Sequence, residues 1–167
     1  MLACTKMSRA EIVKFDMIYK VEFTAPIRGH HIYKETWQHK IGEELACHRD
    51  EREGAVEYDP NAIGVFKPAT IDKSEQLIGH VPIEISALLN NFLLIVNNKL
   101  SAIVKEKRKR EIGLVVPAKF IALTKNKTHA KVLVSKLLEK KCILSLEVDT
   151  SKSAENDNKM PRLPNIL

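Results

Sequence analysis

A chain of 167 residues with 44% apolar content is long enough for one domain with a real core. No run approaches the roughly 18 consecutive apolar residues of a membrane span, and the opening MLACTKMSRAE lacks the apolar core of a secretory signal, so an intracellular protein without membrane contact is expected. Three widely spaced cysteines, Cys4, Cys47 and Cys142, odd in number and without a Cys-x-x-Cys pair, argue against a disulfide framework.

In chain order, Ser8 to Glu11 has the spacing of a capping box and predicts a short helix to about Phe15, within an N-terminal extension over 1–16. The run MIYKVEF (17–23) mixes aromatic and β-branched residues and reads as a strand, followed by the loop TAPIRGHH. A second strand is expected over 42–48. The charged stretch RDEREGAVEYDPN reads as a surface loop that ends in an Asp59-Pro60 turn, since proline fixes its own φ and pushes the preceding residue out of the helical region. Short strands follow at 63–66, with a bulge or close approach at Gly64, and at 76–81. Pro82 suits the first turn of a helix whose apolar residues Ile85, Leu88, Leu89, Phe92 and Val96 recur at helical spacing up to Asn97-Asn98.

Strands resume over 100–107 and 114–123, the latter carrying Pro117, which points to an edge, and the two are joined by a turn at Gly113. A helix over 131–140 falls in a C-terminal extension (125–147), and the polar, proline-bearing segment 148–167 reads as a disordered tail. The expected fold is mainly β with helices: a six-stranded barrel of the oligonucleotide-binding type over 17–124, with one strong internal helix and terminal helical decoration.

Charge is localised. Residues 105–127 carry eight basic side chains against Glu106 and Glu111, a net +6 that equals the whole chain's formal charge. A segment holding all the net charge is a candidate polyanion footprint, although KEKRKR also reads as a solvated edge or a nuclear-import signal. Catalytic and metal motifs are not evident. The histidines lack paired zinc-ligand spacing, there is no Gly-x-Ser-x-Gly elbow, Walker-type loop or His-Glu-x-x-His helix, and a Cys47 nucleophile with His80 competes with Cys47 as a small core residue. No cofactor, metal or enzymatic activity is expected. LIGHVP (77–82) sets His80 at a strand-to-helix junction, beside helix N-terminal amides that favour an anion.

Taken together, PIRGHHIY, EYDPNAIGVF, LIGHVPIEISALL and NKLSAIV resemble the HIRAN domain, a module of DNA-repair translocases that also occurs in stand-alone proteins. The resemblance covers 17–124 and implies an oligonucleotide-binding-like barrel that binds single-stranded DNA, above all a free 3′ end. It implies that Tyr58 stacks on a base, Asp59 contacts the terminal hydroxyl, and Gly79 and His80 approach phosphate. Where the family has a basic-aromatic segment after Arg-Gly, this chain has His30, His31, Ile32 and Tyr33, which leaves Tyr33 as the second stacking residue. Arg28 and the cations Lys105, Lys107, Arg108, Lys109 and Arg110 would neutralise backbone charge. The expected partner is single-stranded DNA or another nucleic acid, in a nuclear setting. The competing reading is an adaptor that docks an acidic protein through the basic hairpin and C-terminal helix. A solvent-facing Tyr58 beside Asp59 and His80 separates the first reading from the second.

Overall fold

The computed structural model describes residues 17–33, 35, 37–107, 115–143 and 145–152. Seven antiparallel strands form one sheet in the order β4-β3-β2-β5-β6-β1-β7. They are β1 (Met17–Ile27), β2 (Glu44–Arg49), β3 (Ile63–Lys67), β4 (Gln76–His80), β5 (Lys99–Val104), β6 (Val116–Thr124) and β7 (Ser145–Lys152). Short helices α1 (His30–Tyr33) and α2 (Glu53–Tyr58) interrupt the loops, while α3 (Ile83–Leu93) and α4 (Lys127–Leu138) pack against the sheet. None of the described helices is long and apolar enough to cross a membrane.

Alternation builds the core. In β6 Val116, Ala118, Phe120 and Ala122 are buried, and in β1 Val21, Phe23, Ala25 and Ile27 are buried, as a period of two requires. Phe23 and Phe120 face each other in register and stack at 5.3 Å. Onto this surface α3 lays Ile85, Leu89 and Phe92, and α4 lays Ala130, Leu133 and Leu137, all buried. The α4 start is set by Asn126, whose side chain accepts the Thr128 and His129 amides, so the helix begins earlier than its apolar pattern implies.

Three local expectations change. The α3 helix ends at Leu93 because Asn97 adopts a left-handed φ of 71° and the Asn98 side chain donates through Nδ2 to the Phe92 carbonyl, which leaves Val96 exposed beyond the last turn. Pro117 does not mark an edge: β6 lies between β5 and β1, and Pro117 accepts the Lys105 amide where the β5 ladder ends. Residues 148–152, assigned by composition to the tail, are paired in β7 with Met17 to Val21. β7 is polar: beside its backbone ladder and Leu146, Ser145 donates to the Thr24 hydroxyl and Asp149 pairs with Lys20, and such an edge strand carries no clear apolar period. The expected helix over 8–15, the turn at Gly113 and residues 153–167 lie outside the described residues.

The expected six-stranded closed barrel is not formed; the sheet is open. Closing it would require a ladder between β1 and β4, yet these strands meet in one bridge, Arg28 with His80, made by two backbone hydrogen bonds of 2.8 and 2.9 Å. The reason lies in the free edge of β1. β7 occupies it from Met17 to Thr24, and Pro26 has no N–H to offer there, so Arg28 is the position left for β4. At that crossing Gly79 is required. A Cβ would stand 2.6 Å from the Ile27 side chain and 2.7 Å from the Arg28 carbonyl oxygen, and that backbone cannot yield cheaply. Gly79→Ala is therefore expected to destabilise the fold by about 2 kcal/mol through overpacking, read as a lower urea midpoint at unchanged slope.

Candidate functional site

The bridge that joins β1 to β4 also creates a groove. After Arg28, Gly29 takes φ +86°, a conformation that suits glycine, and turns the chain into α1 so that Tyr33 faces back toward the β4 end. On the other side the chain leaves β2 at Arg49, passes Asp50 and Arg52, and enters α2, which delivers Tyr58 and Asp59. A groove of about 510 Å³ opens between these segments, lined by Arg28, Gly29, Ile32, Tyr33, Arg52, Tyr58, Asp59, His80 and Ile83, among others.

Tyr58 is 83% exposed, so the side chain is held by its backbone and not by the core. That backbone is well anchored. Asp59 closes α2 with its N–H on the Ala55 carbonyl, and its Oδ1 accepts the Asn61 amide at 2.9 Å, a turn that the Asp-Pro-Asn sequence favours. Asn61 in turn accepts from the Asn90 side chain of α3 at 3.1 Å, which ties the turn to the helix. Tyr58 and Asp59 thus stand on a fixed turn, as expected for the second residue, while the Tyr58 end of a helix replaces the expected loop.

Behind the groove lies an arrangement the sequence reading missed. Asp50 is 3% exposed and takes four hydrogen bonds: Arg52 Nε at 2.9 Å and the Arg52 amide at 3.2 Å on Oδ1, Arg52 Nη2 at 2.9 Å and His80 Nε2 at 2.6 Å on Oδ2. Burial alone would raise its carboxyl, but the Arg52 and His80 hydrogen bonds outweigh burial and bring it down to about 2. The same contact holds the Arg52 guanidinium above its ordinary range, with Tyr33 hydrogen-bonded to it as well. Because an ionised carboxylate only accepts, His80 donates through Nε2, and its ring orientation is fixed. The one signal in sequence was the sequence Arg49-Asp50-Glu51-Arg52 directly after a strand; nothing local shows that Asp50 reaches a residue thirty positions away.

Other expected residues are placed differently. Gly79 is buried at the strand crossing and is not part of the groove lining. The first turn of α3 carries Glu84, which pairs with Arg28 at 3.5 Å, so a carboxylate of the protein already sits beside those helix amides. Lys105 lines a separate cleft of about 400 Å³ with Glu22 and Lys119, and that cleft shares no lining residue with the groove. Lys107 is exposed, and Arg108, Lys109 and Arg110 lie outside the described residues. Cys47 is buried in β2, and burial pushes its thiol up, away from the thiolate that a nucleophile needs. Among the described residues no three His, Cys, Asp or Glu side chains are grouped to hold a metal ion.

The Asp50 shift has a stability consequence. Its folded value is depressed from an ordinary 3.8, so the contribution is complete above about pH 4 and is lost as pH falls toward 2. It corresponds to about 2 kcal/mol. Thermal melts from pH 5 to 2 should show this loss, and Asp50→Asn should flatten the acid limb while lowering the melting temperature at neutral pH.

No curated protein sequence matches the chain. The crystal structure of the HIRAN domain of human HLTF is similar in fold, with a TM-score of 0.52 at 17% identity, covering 72% of this chain and 91% of that one. The family model of the HIRAN domain matches residues 20–121, which run from within β1 to within β6 and include every groove residue named above. The chain therefore belongs to the HIRAN domain family, a family of nucleic-acid-binding modules.

Proposed function

We propose that this protein is a non-enzymatic module that binds single-stranded DNA at a free 3′ end through the groove between α1, α2 and the β1–β4 crossing. The observation that carries the reading is the meeting of an 83% exposed Tyr58 with Asp59, His80 and Tyr33 in one groove, from three separate places in the chain. An exposed aromatic on a rigid turn offers its face to any base, with stacking worth about 1–3 kcal/mol. Asp59 has one carboxylate oxygen committed to its own turn, which leaves the other to accept from a sugar hydroxyl. The same negative charge repels a terminal phosphate and so favours an unphosphorylated end. Arg28, Arg52 and His80 supply the opposing donors. A buried Tyr58 would have favoured a protein adaptor, and its exposure favours the nucleic-acid reading. We place the protein in the nucleus, where such a ligand and the basic run of 105–110 are both at home.

Fluorescence anisotropy with a strand ending in a 3′ hydroxyl, and the same strand 3′-phosphorylated, tests this reading. Wild type should prefer the hydroxyl end. Asp59→Asn keeps an acceptor for the Asn61 amide while removing the charge, and it should lose that preference without losing the fold. Tyr58→Ala should weaken binding to the hydroxyl strand about tenfold, from one lost stacking platform. Equal, salt-steep binding to both ends by wild type would reduce the function to general polyanion attraction, and a Tyr58→Ala protein that binds normally would remove the groove from the function.

A further inference from the structure

We infer that Arg52, held by Asp50 beside His80, forms a binding subsite for one phosphodiester of the bound strand, with Asp50 as its positioning residue. This inference rests on the nucleic-acid reading and adds to it a residue pair that the family resemblance does not supply. Three observations carry it. Asp50 is nearly inaccessible and grips Arg52 by the fork of its guanidinium, so the arginine has one orientation and not many. The Arg52 side chain is nonetheless 59% exposed on the groove wall, and Nε and Nη2 use only part of its five N–H donors on Asp50. His80 is bound to the same carboxylate oxygen as Arg52 Nη2, so one buried charge sets two neighbouring groups side by side at the groove.

Arg28 stands at the same groove, and its Nε is buried without a hydrogen-bond partner among the described residues. That nitrogen is closed to solvent and Arg28 Nη2 is paired with Glu84 at 3.5 Å, so the exposed donors toward a ligand anion are those of Arg52. A single phosphodiester, with two non-bridging oxygens and one negative charge, suits a site of this kind. Pre-orientation by Asp50 matters because an unheld arginine on a loop must lose its rotamer freedom on binding. Asp50 itself, two hydrogen bonds deep on each oxygen, has no role toward the ligand except through Arg52 and His80.

The test uses anisotropy with single strands ending in a 3′ hydroxyl, in which one linkage at a time is replaced by an uncharged methylphosphonate. In wild type, one linkage should lower affinity about tenfold when neutralised, and Arg52→Gln should lower affinity for the unmodified strand by the same factor. The decisive result is coupling: Arg52→Gln should be insensitive to methylphosphonate at that linkage while remaining sensitive elsewhere. Asp50→Asn, checked for folding by circular dichroism, should reproduce both the loss and the insensitivity although Arg52 keeps its charge. Wild-type binding that Arg52→Gln leaves unchanged, or weakens equally for every backbone, overturns the subsite while the proposed function stands. Sensitivity to methylphosphonate at that linkage that survives in Asp50→Asn, or in Arg52→Gln should Asp50→Asn not fold, overturns the role given to Asp50 or to the pair. Failure of wild type to bind any of these strands overturns the subsite and the proposed function together.

Discussion

Two backbone hydrogen bonds between Arg28 and His80 hold the end of the first strand against the end of the fourth, and the groove exists because of them. Arg28, Gly29 and Tyr33 follow from one side of that crossing, His80 and the start of α3 from the other. The crossing is narrow by construction. β7 fills most of the β1 edge, Pro26 withholds a donor, and Gly79 clears the space in which two backbones approach within a side chain's width. A full ladder here would bury the strand ends that now look into the groove. An open sheet pinned at one point keeps them available.

Electrostatics in the groove are organised from behind. Asp50 is a buried carboxylate that is tolerable only because each oxygen is doubly satisfied, and its partners are the two groups that point outward. Arg28 is balanced by Glu84 at the rim, and Asp59 by its own turn, so the groove carries donors and acceptors of both signs in fixed positions and not a uniform positive field. Such a surface discriminates by geometry. The basic segment that holds the chain's net charge contributes in another way, since its described members line a different cleft or face solvent. Under the proposed function, long-range attraction and local recognition fall to separate parts of the molecule.

Cys47 and His48 each take a local place in the sheet. Cys47 pairs within the sheet between Val65 and Leu100 and is desolvated there. His48 stacks on Phe66 and binds Glu75, whereas His80, two strands away across Gly64, binds Asp50, so the two histidines take different partners. Each of these residues has a local structural employment that its sequence neighbours set.

By itself, the sequence determined where most strands lie, the amphipathic face of α3 and the fixed turn at Asp59-Pro60-Asn61, while the family resemblance pointed to Tyr58, Asp59, His80, Tyr33 and Arg28. Each of those rests on a local rule: period two in strands, helical spacing, proline geometry, or a motif with its own spacing. Tertiary structure alone decided the rest. β7 is paired by backbone groups that composition does not reveal, and the open sheet follows from which strand takes the free edge of β1. Asp50 and Arg52 look like surface charges in a loop until folding brings His80, thirty residues on, within 2.6 Å of the carboxylate. Hydrogen bonding between distant residues leaves no periodic trace in a sequence, because it depends on where strands end and not on what repeats within them.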